Sequence, residues 1–454
     1  MKKIIIKLSI IIFLTLTLLV LFLSTVGIET SKLNNQIEKV VNNLSDDLEI
    51  ELKKIKILLD PFSFKINAKT VGTKIKNRGK VIEIETVRTK ISIKSFVKNE
   101  FSLSKLQLST KSLELKNLIS FSRTIKDNPQ LYLLEKLVKR GYFIADIKIE
   151  FEKNGKIKKN FEINGFVKNT KLNLLKKYNI DKLNFTFEIN NQSFKISDSN
   201  LLFNKIPLNS KSILIKKIDQ DYSITGDLEN KSLDFKKDSI DFIVKKIFPK
   251  INIKVLNINS KNIFSLKIDK YFKIINLKIL SEIKLNNLVF KNNIGLESIF
   301  PNIKEEIIFS KNKIRINFDK EKLSVKGEGD ILFQNEKDKI SYSIDKHKEK
   351  YKFKSSISIN KNPLIIELLN YEKKGDSQII FKIDGNYSPN KKMLIKSIFF
   401  KENKNQIKLK NLFLDENFNV QKLEKVQLNF FDKDNLKNQF DIINKKNDYS
   451  FTGT

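Results

Sequence analysis

The 454-residue chain carries a net charge of +34, 13 glycines, 7 prolines and no cysteine. That length allows two or three compact domains or one extended repetitive one, and the missing cysteine excludes a disulfide framework and thiolate metal sites. The charge is almost wholly lysine: Arg78, Arg88, Arg123, Arg140 and Arg315 are the only arginines, whereas phosphate recognition favours the two-pronged guanidinium.

The lysines are spread through the chain and alternate with Ile, Leu or Phe. Such spacing describes a solvated polar face on a composition biased toward Lys, Asn and Ile. Its functional counterpart is attraction to anionic membrane surfaces. No helix-turn-helix, zinc finger or RNA-binding signature accompanies the charge, so nucleic acid is not among the expected partners.

The first element is an apolar run, Leu8 to Ile28, of the length needed to cross a bilayer core. Ser9, Thr15, Thr17, Ser24 and Thr25 interrupt it, and their hydroxyls can bond back to helix carbonyls. Lys2, Lys3 and Lys7 precede the run, while Glu29 is the first charge after it. The positive-inside rule then places the N-terminus in the cytoplasm and the bulk outside. A cleaved signal peptide is the rival reading, but its apolar region would be unusually long and no A-x-A site follows. A retained single-pass anchor is therefore expected.

Leu33, Ile37, Val40, Val41, Leu44 and Leu48 follow at three- and four-residue steps, which predicts a juxtamembrane amphipathic helix. Period-two patterning then takes over. Leu48, Ile50 and Leu52 alternate, and the phase slips to Ile55, Ile57 and Leu59, which suggests a bulge. Asp60-Pro61 gives a turn, after which Phe62, Phe64, Ile66 and Ala68 are expected to share one strand face. Asn117 to Ile125 reads as one short helix. Asp127-Asn128 caps a second, Pro129 suits its first position, Gly141 suits the residue past its end, and Leu131, Leu134, Leu137 and Val138 form its apolar face.

From Tyr142 onward the alternation is almost unbroken, as in Phe264/Leu266/Ile268, Ile340/Tyr342/Ile344 and Ile379/Phe381/Ile383. At about 12 to 15 residues per strand and turn, the part beyond the anchor holds on the order of 25 to 30 strands. Phe248-Pro249 and Phe300-Pro301 mark breaks beside short helices near 235–248 and 295–306. No linker divides the chain into sandwiches. The expected fold is mainly β: a long, curled antiparallel sheet, groove-like and in parts sandwich-like, with one N-terminal transmembrane helix and two short helical segments. An apolar concave face and a lysine-rich convex face complete the expectation.

The stretch Ile55-Lys-Ile-Leu-Leu-Asp-Pro-Phe-Ser-Phe-Lys-Ile66, followed by Val81-Ile-Glu-Ile-Glu-Thr-Val-Arg-Thr-Lys-Ile-Ser-Ile-Lys-Ser-Phe-Val97 and Phe101 to Leu115, resembles the N-terminal region of the AsmA-like family of bacterial envelope proteins, related to TamB-type and bridge-like lipid transfer proteins. Beyond roughly the first 120 residues only the architecture is similar, through strand ends such as Phe161-Glu-Ile-Asn-Gly165, Tyr222-Ser-Ile-Thr-Gly226 and Phe381-Lys-Ile-Asp-Gly385. The resemblance implies a groove-shaped periplasmic sheet, held by the inner membrane, that assists phospholipid movement or outer-membrane homeostasis. Its partners would be phospholipid acyl chains and the inner membrane, with envelope proteins as further partners. The expected divisions are 1–28 (cytoplasmic tip and anchor), 29–47 (juxtamembrane helix), 48–116 (AsmA-like strands), 117–141 (helical insert) and 142–454 (repetitive sheet). The last division ends in what reads as another strand end, Tyr449 to Thr454, as expected of a fragment.

Candidate chemistry is sparse. His347, the only histidine, sits in the polar turn Asp345-Lys-His-Lys-Glu-Lys350. Ser-x-x-Lys occurs at Ser95–Lys98, Ser310–Lys313 and Ser343–Lys346, as frequent lysine makes inevitable, and none opens a predicted helix. Gly327-Glu-Gly329 lacks a third glycine and a following helix, and reads as strand positions where a bulky side chain does not fit. No enzyme, metal or cofactor is expected. An apolar strand face must be covered by helices, a second sheet or acyl chains, and only two good helices are in view. The candidate acyl-chain lining is Phe62, Phe64, Ile66, Ile91, Ile93, Phe101, Leu103, Phe185 and Phe187. The alternative is a non-catalytic envelope scaffold or assembly adaptor with a sealed β core.

Overall fold

The computed structural model describes residues 2–453 apart from 32–33, 35–37, 39–46, 95–102, 153–157, 175–177, 236–251, 272, 293–294, 296, 374, 389–392, 416–418 and 446–447. The protein is mainly β and divides into two compact units, Met1–Asp219 and Gln220–Thr454.

The first unit begins with helix α1, Lys2–Thr25, long and apolar enough to span a membrane. Thr15, Thr17, Ser24 and Thr25 donate to the carbonyls of Ile11, Phe13, Val20 and Leu21 at 2.7–2.8 Å, which satisfies hydroxyls that an apolar surrounding would penalise. Gly27, at φ 72°, ends the helix with its N–H bonded to the Phe22 carbonyl at 3.0 Å.

Strands β1 (Ile28–Thr30), β2 (Leu48–Glu51), β3 (Ile55–Asp60), β4 (Lys65–Asn77), β5 (Lys80–Ser92), β6 (Leu103–Thr110) and β7 (Leu113–Glu114) follow. Two helices come next, α2 (Leu115–Ile125) and α3 (Pro129–Leu137). Then come β8 (Val138–Glu150), β9 (Glu162–Leu174), β10 (Tyr178–Ile189), β11 (Ser193–Phe203) and β12 (Ile206–Ile218). Pairing is antiparallel throughout, in the order β1, β3, β4, β5, β6, β8, β9, β10, β11, β12, with β2 beside β4 and β7 beside β8. No pairing closes it into a barrel.

The second unit is a meander of β13 (Asp221–Asp234), β14 (Ile253–Ile268), β15 (Ile274–Lys291), β16 (Glu306–Asp319), β17 (Lys322–Leu332), β18 (Asp338–His347) and β19 (Lys350–Ile359). A separate short hairpin, β20 (Ile365–Ile366) and β21 (Tyr371–Glu372), interrupts it. The meander resumes with β22 (Ile379–Tyr387), β23 (Met393–Glu402), β24 (Asn405–Leu414), β25 (Val420–Phe431), β26 (Lys437–Lys445) and β27 (Asp448–Gly453). Each of these strands pairs antiparallel with the next, β19 joining β22 directly.

With glycine scarce, two-residue turns draw on other residues. Asn77 pairs with Lys80 across Arg78-Gly79, and Phe203 with Ile206 across Asn204-Lys205. All four turn residues have positive φ, the geometry that matches strand twist.

Several expectations change. Residues 29–47 do not open as a helix, because Ile28–Thr30 is a strand; Asn34 and Glu38 are helical, and most of the rest lies outside the described residues. The phase slip after Leu52 is a three-residue break, not a single-residue bulge, since β2 and β3 pair with opposite ends of β4 around Gly72. Asn128 does cap α3, accepting from Leu131 N–H at 2.9 Å. Gly141, however, does not stop that helix: it lies within β8 at φ 146°, where any Cβ would strike Thr170. The described residues of 295–306 are turn and irregular backbone, with strand only at Glu306, rather than helix, and Ile299, Phe300 and Ile303 pack there as a covering segment; 236–251 lies outside the described residues.

Candidate functional site

Cross-strand register sorts the side chains of each unit onto two faces. In the first unit, Ala145, Val167 and Phe187 form a buried cluster with Phe143, Phe185 and Phe194 packed around it. The Phe143 and Phe187 rings stack at 5.4 Å, and Phe194 meets Phe187 edge-on at 6.0 Å. A second cluster joins Ile55, Ala68 and Ile91.

Several long strands are broken in the middle by a left-handed residue: Gly72, Asn169, Lys182 and Asp198 in the first unit, Lys311 and Asn411 in the second. Each resets the alternation by one position. Val167 is buried before Asn169, and Thr170 is buried after it. Thr73, Ser199 and Asn312 are likewise buried directly after Gly72, Asp198 and Lys311. Such breaks bend a strand and increase its twist. Sequence reasoning missed these buried small polar residues; the signal was the repeated one-residue slip, as from Ile163-Gly165-Val167 to Thr170-Leu172-Leu174.

In the second unit one apolar face has two parts. At one end Ile331, Ile359, Ile379, Phe400, Ile407 and Leu428 are buried. They lie beneath a covering segment in which Leu364, Ile366, Leu369 and Tyr371 join Ile299, Phe300 and Ile303. The Tyr371 ring stands edge-on to Phe400 at 5.4 Å. Its hydroxyl donates to Glu402, which also accepts from Ser377 and, at 3.1 Å, from Asn405. Burial, then this hydrogen bond, pushes the Tyr371 phenol well above its ordinary value. Asn362 fastens the base of the segment, donating to the Glu336 carbonyl at 2.7 Å and to Asp338 at 2.6 Å.

Further along the same strands the face runs on through Ile314, Ile316, Val325, Tyr342, Ile344, Phe353, Ile383, Ile398 and Leu412, all half-buried. Gly327 admits the Tyr342 ring and Gly329 admits Asn312, so both glycines occupy strand positions where a side chain does not fit. The opposite face is polar. A hollow of about 1180 Å³ lies there, walled by Lys284, Lys313, Arg315, Lys326, Lys354 and Lys382 with Glu282, Glu328 and Asp384 between them, and lined also by Ile283, Ile314, Tyr342 and Ile383. Long side chains raised on neighbouring strands wall this hollow on the lysine-bearing face.

The candidate lining residues fall into four groups. Phe62 and Phe64 are not strand residues: they lie in the turn between β3 and β4, 97% and 76% exposed, because β3 ends at Asp60 and Ser63 N–H bonds its carboxylate at 3.2 Å. Ile91 and Phe187 are sealed in protein, at 1% and 3% exposure. Ile66, Ile93 and Phe185 are half-buried. Phe101 and the Leu103 side chain lie outside what is described. His347 ends β18, exposed, as its polar turn implied. Among the described residues no three of His, Asp and Glu converge as metal ligands.

No protein-family model matches the chain, and neither does any curated protein.

Proposed function

We propose that this chain is a non-catalytic, inner-membrane-anchored periplasmic protein, AsmA-like in plan. It holds acyl chains against its apolar sheet face and assists phospholipid movement or outer-membrane homeostasis. One observation carries the reading: the apolar rows sealed at one end of the second unit continue, on the same strands, as half-buried side chains outside that sealed cluster among the described residues. Each methylene buried gains about 0.8 kcal/mol, so an acyl chain of about 16 carbons recovers on the order of 12 kcal/mol by lying along such a surface. Helix α1 supports the anchor by length, composition and back-bonded hydroxyls, and its flanking lysines support the orientation.

Photocrosslinking tests the reading. A photoreactive residue at Ile383 in the full chain, in native membranes, is expected to capture phospholipid; one at Phe400 captures only the 364–371 segment. Capture of protein alone at Ile383, Ile344 and Ile398 sinks the reading. It would favour the second one, an envelope scaffold with a sealed core, which draws its support from the fully covered cluster around Ile379.

A further inference from the structure

Phe62 and Phe64 are among the most exposed apolar side chains outside α1. Their place in the chain follows from the register of β1 and β3. Helix α1 passes through Gly27 directly into β1, and Ile28 pairs with Ile57, Glu29 with Lys56, and Thr30 with Ile55. Strand β1 therefore leads away from the helix, and antiparallel β3 returns toward it. Ile57 is level with the helix exit; Leu58, Leu59 and Asp60 lie beyond it on the helix side. A Cβ on Gly27 would strike the Ile57 carbonyl and the Leu58 side chain, and β3 lies against α1. From Ile57 to the tip of the turn is roughly 10–16 Å at the usual strand rise.

Helix α1 has 24 residues, about 36 Å at 1.5 Å each, against a hydrocarbon core of about 30 Å. A turn projecting back alongside its final residues reaches the headgroup layer or deeper. The turn is also braced: Ser63 N–H bonds Asp60, and Ile93 N–H bonds the Phe64 carbonyl at 3.3 Å. Phe64 holds a left-handed backbone at φ 50°, unfavourable for an aromatic residue, and in water that arrangement leaves its ring uncovered. Lys65 follows the turn and the charge of Lys90 is felt at Asp60, cations suited to the phosphate level.

We infer that the β3–β4 turn, Pro61 to Phe64, is a second membrane contact, in which Phe62 and Phe64 enter the leaflet where α1 ends. The inference rests on α1 staying in the bilayer, and it is independent of whether the sheet carries acyl chains. It places the edge of the first unit's sheet at the lipid surface.

The chain contains no tryptophan, so single substitutions report position cleanly. Full-length Phe62→Trp is reconstituted into phosphatidylcholine–phosphatidylglycerol vesicles with bromine on the acyl chains, beside Leu19→Trp in α1, Ile383→Trp on the open face and Tyr271→Trp in an exposed turn of the second unit. Phe62→Trp is expected to be blue-shifted and quenched to the degree of Leu19→Trp, with Tyr271→Trp unquenched. Emission from Phe62→Trp matching Tyr271→Trp, while Leu19→Trp is quenched, overturns the inference. Loss of quenching at Leu19→Trp as well overturns it together with the anchor. Ile383→Trp reads the acyl-chain proposal separately.

Discussion

The covered and uncovered parts of the second unit's apolar face are built from the same strands. Ile379 and Ile383 sit four residues apart on β22, on one face, with Glu402 and Ile398 as their partners on β23. Ile379 is 0% exposed and Ile383 is half-buried. The strands do not differ; what differs is the 361–373 segment, which together with 299–303 packs over one part. Coverage on this sheet is a property of an inserted segment, and the uncovered remainder is surface that the strands alone cannot hide.

Substitutions should break this comparison most sharply at the covered end. Phe400→Ala empties a sealed site and is expected to cost about 3–5 kcal/mol, whereas Ile383→Ala should cost about 1 kcal/mol because its site is already half in solvent. Urea unfolding in detergent, followed by far-UV circular dichroism, measures both; equal losses would mean that the open stretch is covered in solution.

The clasp comes next. Glu402→Ala leaves the buried Tyr371 hydroxyl and the half-buried Ser377 hydroxyl without their acceptor, at about 1–3 kcal/mol. Tyr371→Phe removes one donor while Ser377 and Asn405 still serve Glu402, at about 1 kcal/mol. Limited proteolysis within 361–378 should speed up in both variants and leave cleavage elsewhere unchanged.

The Tyr371 phenol also sharpens the contrast through pH. Its proton is held more tightly in the folded protein than in the unfolded chain, where a tyrosine titrates near 10. The folded state therefore loses stability as pH rises above about 10, because only the unfolded chain gives up that proton. Thermal midpoints of Tyr371→Phe should decline less steeply over that range than those of the parent. The smallest effect belongs to the polar face: Lys148→Ala, which breaks an exposed pair with Glu162 at 3.4 Å, should leave the urea midpoint unmoved.

Much of the candidate site was legible as pattern and little as place. Period-two alternation located Ile91, Phe185 and Phe187 on strands, and Asn128-Pro129 located the start of α3. Phe62 and Phe64 also fit the alternation, yet Asp60 closes a turn under them and turns both rings outward. The repeated slips at Asn169, Lys182 and Asp198 were visible, but slips of one residue acquire meaning only when neighbouring strands show them in register.

By itself the sequence determined α1, the strand-rich character and the separation of apolar from lysine-bearing positions, because these depend on local spacing and on length against the bilayer. Only the tertiary structure decided which apolar positions are covered. A strand pattern states that a side chain leaves water on one face; it carries no record of what arrives from residues 299–303 or 364–371 to meet it. Ile379 and Ile383 are the same residue in the same alternation, and the crossing segments make one core and leave the other half-buried.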